Sequence, residues 1–419
     1  MTFTSKNQKI HLLQLELLKC QLKRIYKESK FYREKFKKAC VSPDALKSLN
    51  DIKKFPFLTR EEIQEHFYDI LSVPPSKLLM TIQTSGTTAG NPLTMAHTKK
   101  DIEMIAETKA KEFKLYGISK YDVAQVALPY GLWQGAWSTH WGLNKIGTQI
   151  VPTGAGKTER QIEIMKHFGI TVLFATPNYL LRIAQVFSDM RMKKNSLCLR
   201  IAVCVAGKLT GIHSKLIKDI LGVKKIFIDY GATEFPAFCA QCPVHLKYHH
   251  IWPDNYLVEI VDPDTLTPLP EGSKGELVVT SLKKEALPLI RYLSRDITRY
   301  TSPSQCACGL DLPKIDADID RKDFMIKVRG LPLFPGQVEK LIEGTPGLTG
   351  RLQIVVDKRI PRETLSINLE RDRHSFVAAQ VENKIREYIS KYIGIKVNTI
   401  NFVPEGTFAD KFRKTIVLK

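Results

Sequence analysis

The sequence predicts an α/β protein with a large N-terminal domain and a small α+β C-terminal domain. Strands and helices alternate over residues 123–229, which is typical of a parallel sheet with crossover helices. Beyond residue 234, short strands separated by Pro, Gly and Asp turns predict a smaller antiparallel part. Near residues 321–330 a charged run gives way to a Gly/Pro-rich one, so we place the domains at 1–325 and 326–419.

Hydrophobic periodicity assigns the elements in chain order. Apolar residues at helical spacing predict two basic amphipathic helices within Ile10–Lys38, and Thr98 is the predicted N-cap of helix Asp101–Leu115. The alternating region is assigned as strand Val123–Leu128, helix Trp133–Ile146, strand Thr148–Pro152, helix Glu159–Phe168, strand Thr171–Ala175, helix Asn178–Phe187, strand Ile201–Ala206, helix Leu209–Leu221 and strand Lys225–Asp229. The later strands are Tyr256–Val261, Gly275–Thr280, Phe324–Val328, Leu352–Asp357, Leu365–Leu369 and Asn398–Phe402, with helices Gly336–Ile342 and Ser375–Ile393.

Composition and charge limit the functional classes. The 419 residues, 43% of them hydrophobic, are enough to bury a large core in more than one domain. The 63 lysines and arginines outnumber the 43 aspartates and glutamates, which gives a net charge of +20. Such a field attracts polyanions such as ATP or coenzyme A, but it also fits nucleic acid, an anionic membrane surface or solubility alone. No nucleic-acid-binding motif accompanies the charge, so we expect no nucleic-acid partner.

The N-terminal region and the cysteines indicate in which cellular compartment the protein is expected. Charged residues interrupt the apolar positions near the N-terminus, namely Lys6, Lys9, Glu16 and Lys19. We therefore expect neither a signal peptide nor a membrane partner, and a cytoplasmic location. Eight cysteines in a reducing compartment do not predict a disulfide framework, so the close pairs Cys239/Cys242 and Cys306/Cys308 favour a metal site.

The stretch TSGTTAGNP, from Thr84 to Pro92, is rich in hydroxyl groups and glycine. Glycine tolerates the torsions that turn successive backbone N–H groups inward, so the stretch predicts a phosphate-binding loop. Its spacing matches neither a Walker loop nor a dinucleotide fingerprint, and the alternative is an ordinary polar hairpin turn. The residues predicted to bind phosphate are Thr84, Ser85, Gly86, Thr87 and Thr88, and a threonine oxygen is a candidate ligand for Mg²⁺.

This loop resembles the phosphate loop of adenylate-forming enzymes, and six further blocks resemble the phenylacetate–coenzyme A ligase branch of that superfamily. The blocks are Tyr26–Ile63, Thr158–Phe168, Ala175–Leu181, Asp229–Glu234, Leu287–Thr298 and Arg329–Glu339. The resemblance implies a ligase that adenylates a small carboxylic acid with ATP, releases pyrophosphate and transfers the acyl group to coenzyme A. It also implies that the small domain is mobile and rotates between the two steps.

The resemblance also implies a role for individual residues. Glu234 matches the glutamate that binds Mg²⁺, with Thr88 supplying an oxygen from the loop. Tyr230 would cover the adenine and Asp296 would accept hydrogen bonds from the ribose hydroxyls. The full set of nucleotide-binding candidates outside the loop is Asp229, Tyr230, Gly231, Glu234, Asp296 and Arg321. Arg321, like Arg291, fits the role of a structural ion-pair partner equally well.

The C-terminal segment GTFADKFRKTIVLK supplies the catalytic lysine that the resemblance implies. Lys411 is the best match and would bridge the attacking carboxylate and the α-phosphate, while Lys414 is the alternative. Asp410 stands before Lys411, where the family usually has glycine. This departure bears more on the transfer of the acyl group to the thiol than on adenylation. The acceptor is therefore expected to be coenzyme A, with an acyl carrier protein or a non-catalytic nucleotide-binding relative as alternatives.

Aromatic residues in LPYGLWQGAWSTHWG suggest an acyl pocket, although aromatic rings at this spacing fit a plain core equally well. The pocket candidates are Tyr130, Trp133, Trp137, Ala206, Gly207 and Phe235. A pocket of this composition favours a flat aromatic or other compact apolar acid. Oligomeric state is not legible from the sequence, and a homodimer is the default expectation.

A second cluster of candidate ligands consists of cysteine and histidine. Cys242, His250, Cys306 and Cys308 offer three thiolates and one imidazole from two hairpin-like regions, as in members of this branch with a structural zinc. Cys239 is an alternative to His250 because it forms a CxxC with Cys242, and His249 and His245 are further alternatives. The remaining alternative is that these are unrelated free cysteines.

Overall fold

The computed structural model describes residues 5–418 except for the gaps at 85–91, 194–195, 210, 323–325, 329–330, 334, 358–363, 373–378, 394 and 409–414. The chain divides into two compact units, Met1–Ile319 and Asp320–Lys419. This division falls a few residues before the predicted boundary, because the hinge composition marks a segment and not a single position.

The N-terminal unit begins with helices α1 (Ser5–Glu28) and α2 (Lys30–Lys38), which match the predicted amphipathic pair. Leu18, Leu22 and Ile25 form a fully buried stripe on α1, and they belong to the largest apolar core. The Gln21 amide also donates to the Lys284 carbonyl at 2.8 Å, so α1 packs on the body of the protein. No helix in the described part of the chain is both long and apolar enough to cross a membrane.

Two short helices and a hairpin follow, namely α3 (Arg60–Glu65), α4 (Phe67–Ile70), β1 (Met80–Gln83) and β2 (Thr94–His97). Helix α5 (Lys99–Leu115) begins directly after the hairpin. Thr98 accepts a hydrogen bond from the Asp101 N–H at 3.2 Å, and Asp101 accepts one from the Thr98 N–H at 3.0 Å. This capping box confirms Thr98 as the N-cap and explains where α5 starts.

A five-stranded parallel sheet forms the centre of the N-terminal unit, in the order β4-β3-β5-β6-β7. Its strands are β3 (Val123–Val126), β4 (Gln149–Val151), β5 (Val172–Ala175), β6 (Ile201–Val205) and β7 (Lys225–Asp229). The crossover helices are α6 (Gln134–Ile146), α7 (Thr158–His167), α8 (Pro177–Asp189) and α9 (Gly211–Leu221). Every residue of β5 and β6 is buried, as expected when helices cover a parallel sheet, and the predicted α/β alternation is confirmed.

An antiparallel sheet follows, in the order β10-β11-β12-β13-β9-β8. Its strands are β8 (Cys239–Gln241), β9 (Tyr248–Ile251), β10 (Tyr256–Val261), β11 (Lys274–Ser281), β12 (Tyr292–Thr301) and β13 (Lys314–Asp316). The sequence predicted β10 and β11. It did not predict β8, β9, β12 and β13. Of these, β8, β9 and β13 have only three or four residues and are too short to show an alternating pattern.

The C-terminal unit is built on a four-stranded mixed sheet, in the order β19-β18-β17-β20. Its elements are β14 (Asp320–Arg321), β15 (Ile326–Val328), β16 (Leu331–Leu333), α10 (Pro335–Ile342), β17 (Leu348–Asp357), β18 (Thr364–Arg371), α11 (Ala379–Tyr388), β19 (Thr399–Val403) and β20 (Thr415–Leu418). β18 and β19 are parallel with α11 between them, which is the predicted βαβ arrangement. Helix α11 ends at Tyr388, and a single π-helical turn, Ile389–Ile393, follows it. The α-helix therefore ends five residues before the predicted end.

Candidate nucleotide site and metal-ligand cluster

The predicted phosphate loop connects the two strands of the β1–β2 hairpin. Its neck is closed by two hydrogen bonds, from the Thr84 N–H to the Leu93 carbonyl at 2.9 Å and from the Leu93 N–H to Thr84 Oγ1 at 3.0 Å. The connection is longer than the turns of two to five residues that close most hairpins. Ser85, Gly86, Thr87 and Thr88 lie outside the described residues.

Glu234 is 5% exposed and lies close to this neck. Its Oε1 accepts hydrogen bonds from Arg60 Nη1 at 3.1 Å and from the Tyr292 hydroxyl at 2.7 Å. Burial, and then the charge of Glu234, hold the pKa of Tyr292 well above its usual value, so the phenol stays a donor. Oε2 of Glu234 receives no hydrogen bond from any residue that the structure describes. One carboxylate oxygen is thus fixed and the other is left for a ligand.

Arg60 connects Glu234 to the phosphate loop. Its second nitrogen, Nη2, donates to Thr84 Oγ1 at 3.0 Å, so a single guanidinium spans the acid and the neck of the loop. Arg60 is the first residue of α3, and a capping box of Thr59 with Glu62 fixes its place. No local feature of the sequence assigns Arg60 a role in the site. The capping-box pattern predicts the helix start, but nothing local indicates a partner 174 residues away.

The backbone of Glu234 has a buried lysine behind it. Lys284 is 1% exposed, and its ammonium donates to the Glu234 carbonyl at 3.1 Å. Burial lowers the pKa of Lys284 to about 8, although the nearby acids Asp101 and Glu234 oppose this shift. The lysine therefore holds the main chain of Glu234 while Arg60 and Tyr292 hold its side chain.

The predicted adenine-covering and ribose-binding residues are brought together. Tyr230 follows β7 and its hydroxyl donates to Asp296 Oδ2 on β12 at 2.7 Å. The Tyr230 ring is half-buried, with the rings of Phe235, Phe238 and His249 at 6.4, 6.0 and 5.9 Å between centroids. The carboxyl ends of parallel strands are where open α/β sheets bind ligands, and Tyr230 lies at such an end. Gly231, the next residue, is exposed.

The structure places Asp229 in a buried ion-pair cluster. Lys109 Nζ lies 2.6 Å from Asp229 Oδ2 and 2.8 Å from Glu112 Oε2. Burial, and then the charge of Asp229, raise the pKa of Glu112 to about 8. Burial alone lowers the pKa of Lys109, but the two carboxylates more than offset this and raise it above its usual value. The cluster ties the end of β7 to α5.

Of the two arginine candidates, Arg291 has a structural role. Its guanidinium pairs with both oxygens of Glu259 at 3.0 Å and donates to the carbonyls of Lys53 and Phe55. Arg291 is 4% exposed, so it joins the N-terminal segment to the antiparallel sheet. Arg321 ends β14 in the C-terminal unit and is half-buried.

The candidate acyl-pocket residues fall into three places. Tyr130 and Trp137 pack edge to face at 5.2 Å between ring centroids, and both are half-buried. Trp133 is the N-cap of α6 and not its first helical residue, and its ring lies so close to Gly135 that a Cβ there would be 2.7 Å away. The other candidates are Ala206 and Gly207, exposed with positive φ beyond β6, and Phe235, which is 1% exposed in the core.

The four predicted metal ligands converge. The ligand atoms of Cys242, His250, Cys306 and Cys308 all lie within 4.8 Å of one another. Sγ of Cys306 is 3.7 Å from Sγ of Cys242 and 3.5 Å from Sγ of Cys308, which in turn is 3.2 Å from His250 Nε2. With Zn–S bonds of about 2.3 Å, a tetrahedral zinc site places its sulfurs about 3.8 Å apart. The spacing and the soft donor set therefore fit zinc.

The alternative ligands point elsewhere. Cys239 donates its thiol proton to the Tyr230 carbonyl at 3.5 Å, and His249 packs against the Tyr230 ring. His245 has an exposed position, and its backbone N–H donates to Cys242 Sγ at 3.2 Å.

Comparisons with known proteins agree with this architecture. A family model of AMP-binding enzymes matches residues 11–282, and a model of the AMP-binding enzyme C-terminal domain matches residues 330–418. The chain is 32% identical over 400 residues to a phenylacetate-coenzyme A ligase of Aromatoleum evansii. This match covers 93% of this chain and 90% of the relative. It is also 32% identical over 406 residues to that of Escherichia coli K12, covering 95% and 92%.

Solved structures share the fold. The crystal structure of 2-hydroxyisobutyryl-CoA ligase in the postadenylation state with 2-HIB-AMP matches with a TM-score of 0.81. That match has 24% sequence identity and covers 96% of this chain and 88% of the other. Because both family models and full-length relatives match, the chain belongs to the AMP-binding enzyme family, as a member of its phenylacetate–coenzyme A ligase-like branch.

Proposed function

We propose that this protein is an ATP-dependent acid–thiol ligase that converts a small aromatic carboxylic acid into its coenzyme A thioester. The observation that carries this proposal is the bridge from Glu234 through Arg60 to Thr84, which joins the predicted cation-binding acid to the neck of the phosphate loop. The matching relatives, named phenylacetate-coenzyme A ligases, support the same reaction class.

The reaction has two steps. The substrate carboxylate attacks the α-phosphorus of ATP, an acyl–AMP mixed anhydride forms and pyrophosphate leaves. The thiol of coenzyme A then attacks the acyl carbon and AMP leaves. Both steps join or displace anions, so the protein accelerates them chiefly by holding the reactants in position and by placing positive charge near the phosphates.

The nucleotide is held by residues of the N-terminal unit. Tyr230 covers the adenine, and Asp296, which the Tyr230 hydroxyl contacts at Oδ2, accepts hydrogen bonds from the ribose hydroxyls. The loop residues Ser85, Gly86, Thr87 and Thr88 surround the phosphates, and Arg60 adds a fixed positive charge at the neck. Asp229, held by Lys109, fixes the strand end from which Tyr230 and Glu234 extend.

Mg²⁺ fits the open side of Glu234. A carboxylate oxygen is a hard ligand of the kind that Mg²⁺ prefers, and Oε2 accepts no hydrogen bond from the described residues. Glu234, with Thr88 from the loop, would hold the ion. When bound, the ion neutralises charge on the phosphates. Arg60 and Tyr292 keep the carboxylate oriented by binding its other oxygen.

The acid is positioned by the aromatic cluster of Tyr130 and Trp137. The two rings meet edge to face, at 80° to each other, and offer the aromatic surface against which an aromatic acid packs. Lys411, outside the described residues, bridges the attacking carboxylate and the α-phosphate. The positive net charge of +20 favours the approach of both ATP and coenzyme A.

Acid-dependent pyrophosphate exchange into ATP tests the adenylation step. We expect exchange with an aromatic acid such as phenylacetate and much less with long-chain fatty acids. No exchange with any acid of an aromatic, heteroaromatic and fatty-acid panel would instead indicate a non-catalytic nucleotide-binding protein. Thioester formation with free coenzyme A, compared with a phosphopantetheine-loaded carrier protein, identifies the acceptor.

Arg60→Gln is expected to lower kcat/KM for ATP by about 10- to 100-fold, because it removes a positive charge at the neck of the phosphate loop and a charged donor to Glu234 Oε1. Steady-state kinetics over a range of ATP concentrations measure this effect. Arg33→Gln is the matched control, since Arg33 caps only the Lys27 carbonyl on the surface. Equal losses in the two variants would contradict the assignment.

We propose that the cysteine–histidine cluster binds one structural zinc ion through Cys242, His250, Cys306 and Cys308. Elemental analysis of purified protein is expected to find about one zinc per chain. Cys308→Ser should lose the metal, whereas Cys239→Ala should retain it, because Cys239 points to the Tyr230 carbonyl. A fully folded protein without metal would remove this assignment.

A further inference from the structure

The strands β8 and β9 and their connection, Cys239–Ile251, form a segment that we call the metal hairpin. Cys242 directly follows β8 and His250 lies in β9, so each strand brings one of the four clustered ligands. The remaining ligands, Cys306 and Cys308, come from a separate turn before β13. A metal bound here would cross-link both strands of the hairpin to that turn.

The metal hairpin also forms the wall behind the predicted adenine-covering residue. Gln241 of β8 accepts a hydrogen bond from the Ile228 N–H at 2.7 Å, and Cys239 donates to the Tyr230 carbonyl at 3.5 Å. On β9, the His249 ring lies 5.9 Å from the Tyr230 ring, tilted by 47°. The hairpin therefore contacts the segment from the end of β7 to Tyr230 through a side-chain amide, a thiol and an imidazole ring.

Neighbouring residues of β9 face opposite sides. Successive side chains of a strand alternate between its two faces. His250 accordingly reaches the cysteine cluster, with Nε2 3.2 Å from Cys308 Sγ, while His249 reaches Tyr230. A movement of β9 at His250 would therefore also move His249 and change its contact with the Tyr230 ring.

Among the described residues, none forms a hydrogen bond with the ring of His249. The residue is 1% exposed, and both of its ring nitrogens are buried without a partner in this part of the chain. Unpaired polar atoms in a buried position are rare and call for an explanation. Since only packing orients this ring, its position depends on the backbone of β9, which is paired with β8 and β13.

We propose that the metal centre positions Tyr230, through His249, for binding the adenosine part of the nucleotide. His249 is a positioning residue in this scheme, because it acts on Tyr230 and not on the reacting atoms. The inference rests on the proposed function, which places the adenine against Tyr230. The inference goes beyond a purely structural role for zinc, because it makes the affinity for the nucleotide depend on the bound metal.

Linkage gives the proposal two measurable consequences. Loss of metal weakens binding of AMP, which contacts Tyr230 and Asp296, but leaves binding of pyrophosphate at the phosphate loop unchanged. Because coupling between two sites is reciprocal, bound AMP must protect the metal from chelators by the same factor. A metal that merely stabilised the whole fold would change both ligands together.

Isothermal titration calorimetry with AMP and with pyrophosphate tests the first consequence on the full-length protein. We expect Cys308→Ser to weaken AMP binding by about an order of magnitude with no more than a twofold change for pyrophosphate. His245→Ala is the matched control, because this exposed histidine lies in the same hairpin. Equal AMP affinity in the metal-free and metal-bound proteins overturns the proposal, and so does an equal loss for both ligands.

His249→Ala tests the relay while all four ligands remain. We expect one metal per chain, unchanged pyrophosphate binding and AMP binding weakened as in Cys308→Ser. In cobalt-substituted protein, AMP should also raise the chelator concentration that removes half of the cobalt absorption at equilibrium, and His249→Ala should abolish this protection. Unaltered AMP affinity in His249→Ala overturns the proposal. If the metal-bound wild type binds neither AMP nor pyrophosphate, the proposed function itself fails.

Discussion

Glu234→Gln should reduce acid-dependent pyrophosphate exchange by about 10²- to 10³-fold, the range found when one preorganised charge or donor at a reacting phosphate or oxyanion is removed. The amide has nearly the shape of the carboxylate and keeps an oxygen for Arg60 and Tyr292, which donate to Oε1 in the wild type. It lacks the negative charge that Mg²⁺ requires. Exchange rates at saturating ATP, measured over a range of Mg²⁺ concentrations, provide the measurement.

Tyr292→Phe is the matched control for this prediction. It removes one of the two donors to Oε1 and leaves the carboxylate charge intact, so we expect a loss of less than about tenfold. The Mg²⁺ dependence should shift strongly in Glu234→Gln and little in Tyr292→Phe. If Glu234→Gln exchanges as fast as the wild type, the cation lies elsewhere and the nucleotide site has been misassigned.

Lys411→Ala should slow adenylation by a similar factor of about 10²–10³, because it removes the positive charge between the carboxylate and the α-phosphate. The same variant should still convert a supplied acyl-adenylate to the thioester, since the proposed contact serves only the first step. Pyrophosphate exchange and a thioester assay with preformed acyl-adenylate separate the two steps.

Lys414→Ala serves as the comparison for Lys411→Ala, because it removes the same charge three residues further along the chain. We expect its exchange rate to stay within about threefold of the wild type, a change worth less than 1 kcal/mol in activation free energy. A large loss in Lys414→Ala alone would move the assignment to Lys414. If neither variant loses exchange, the C-terminal segment does not supply the catalytic lysine.

The fold could be predicted to a large extent because its signals are local. β7 was predicted with the bounds that the structure shows, and β10 likewise, since buried runs of β-branched residues end at polar or Gly-containing turns. The N-cap at Thr98 was predicted because a threonine directly before a helical stretch is a local signal, and the structure adds a capping box with Asp101. The short strands β8, β9 and β13 carry no such pattern and were missed.

The candidate site was predictable only in part, because its geometry depends on contacts between distant segments. Motif position pointed to Tyr230, Asp296 and Glu234 but gave no distance between them. Asp229 was predicted to bind nucleotide, and Arg291 was left open between the nucleotide and a structural ion pair. In the structure they form buried ion pairs with Lys109 and Glu259. Such pairs form because a buried charge without a partner is costly, and the partner can lie anywhere in the sequence.

By itself, the sequence determined the chemical types that are available: a loop of hydroxyls and glycines, an acid after a strand, and four soft metal ligands. Only the tertiary structure decided which of them meet. It joined Glu234 to Thr84 through Arg60, chose His250 over Cys239 for the cysteine cluster, and turned His249 toward Tyr230. The physical reason is that strand pairing and helix packing set side-chain directions, and these depend on residues far apart in the chain.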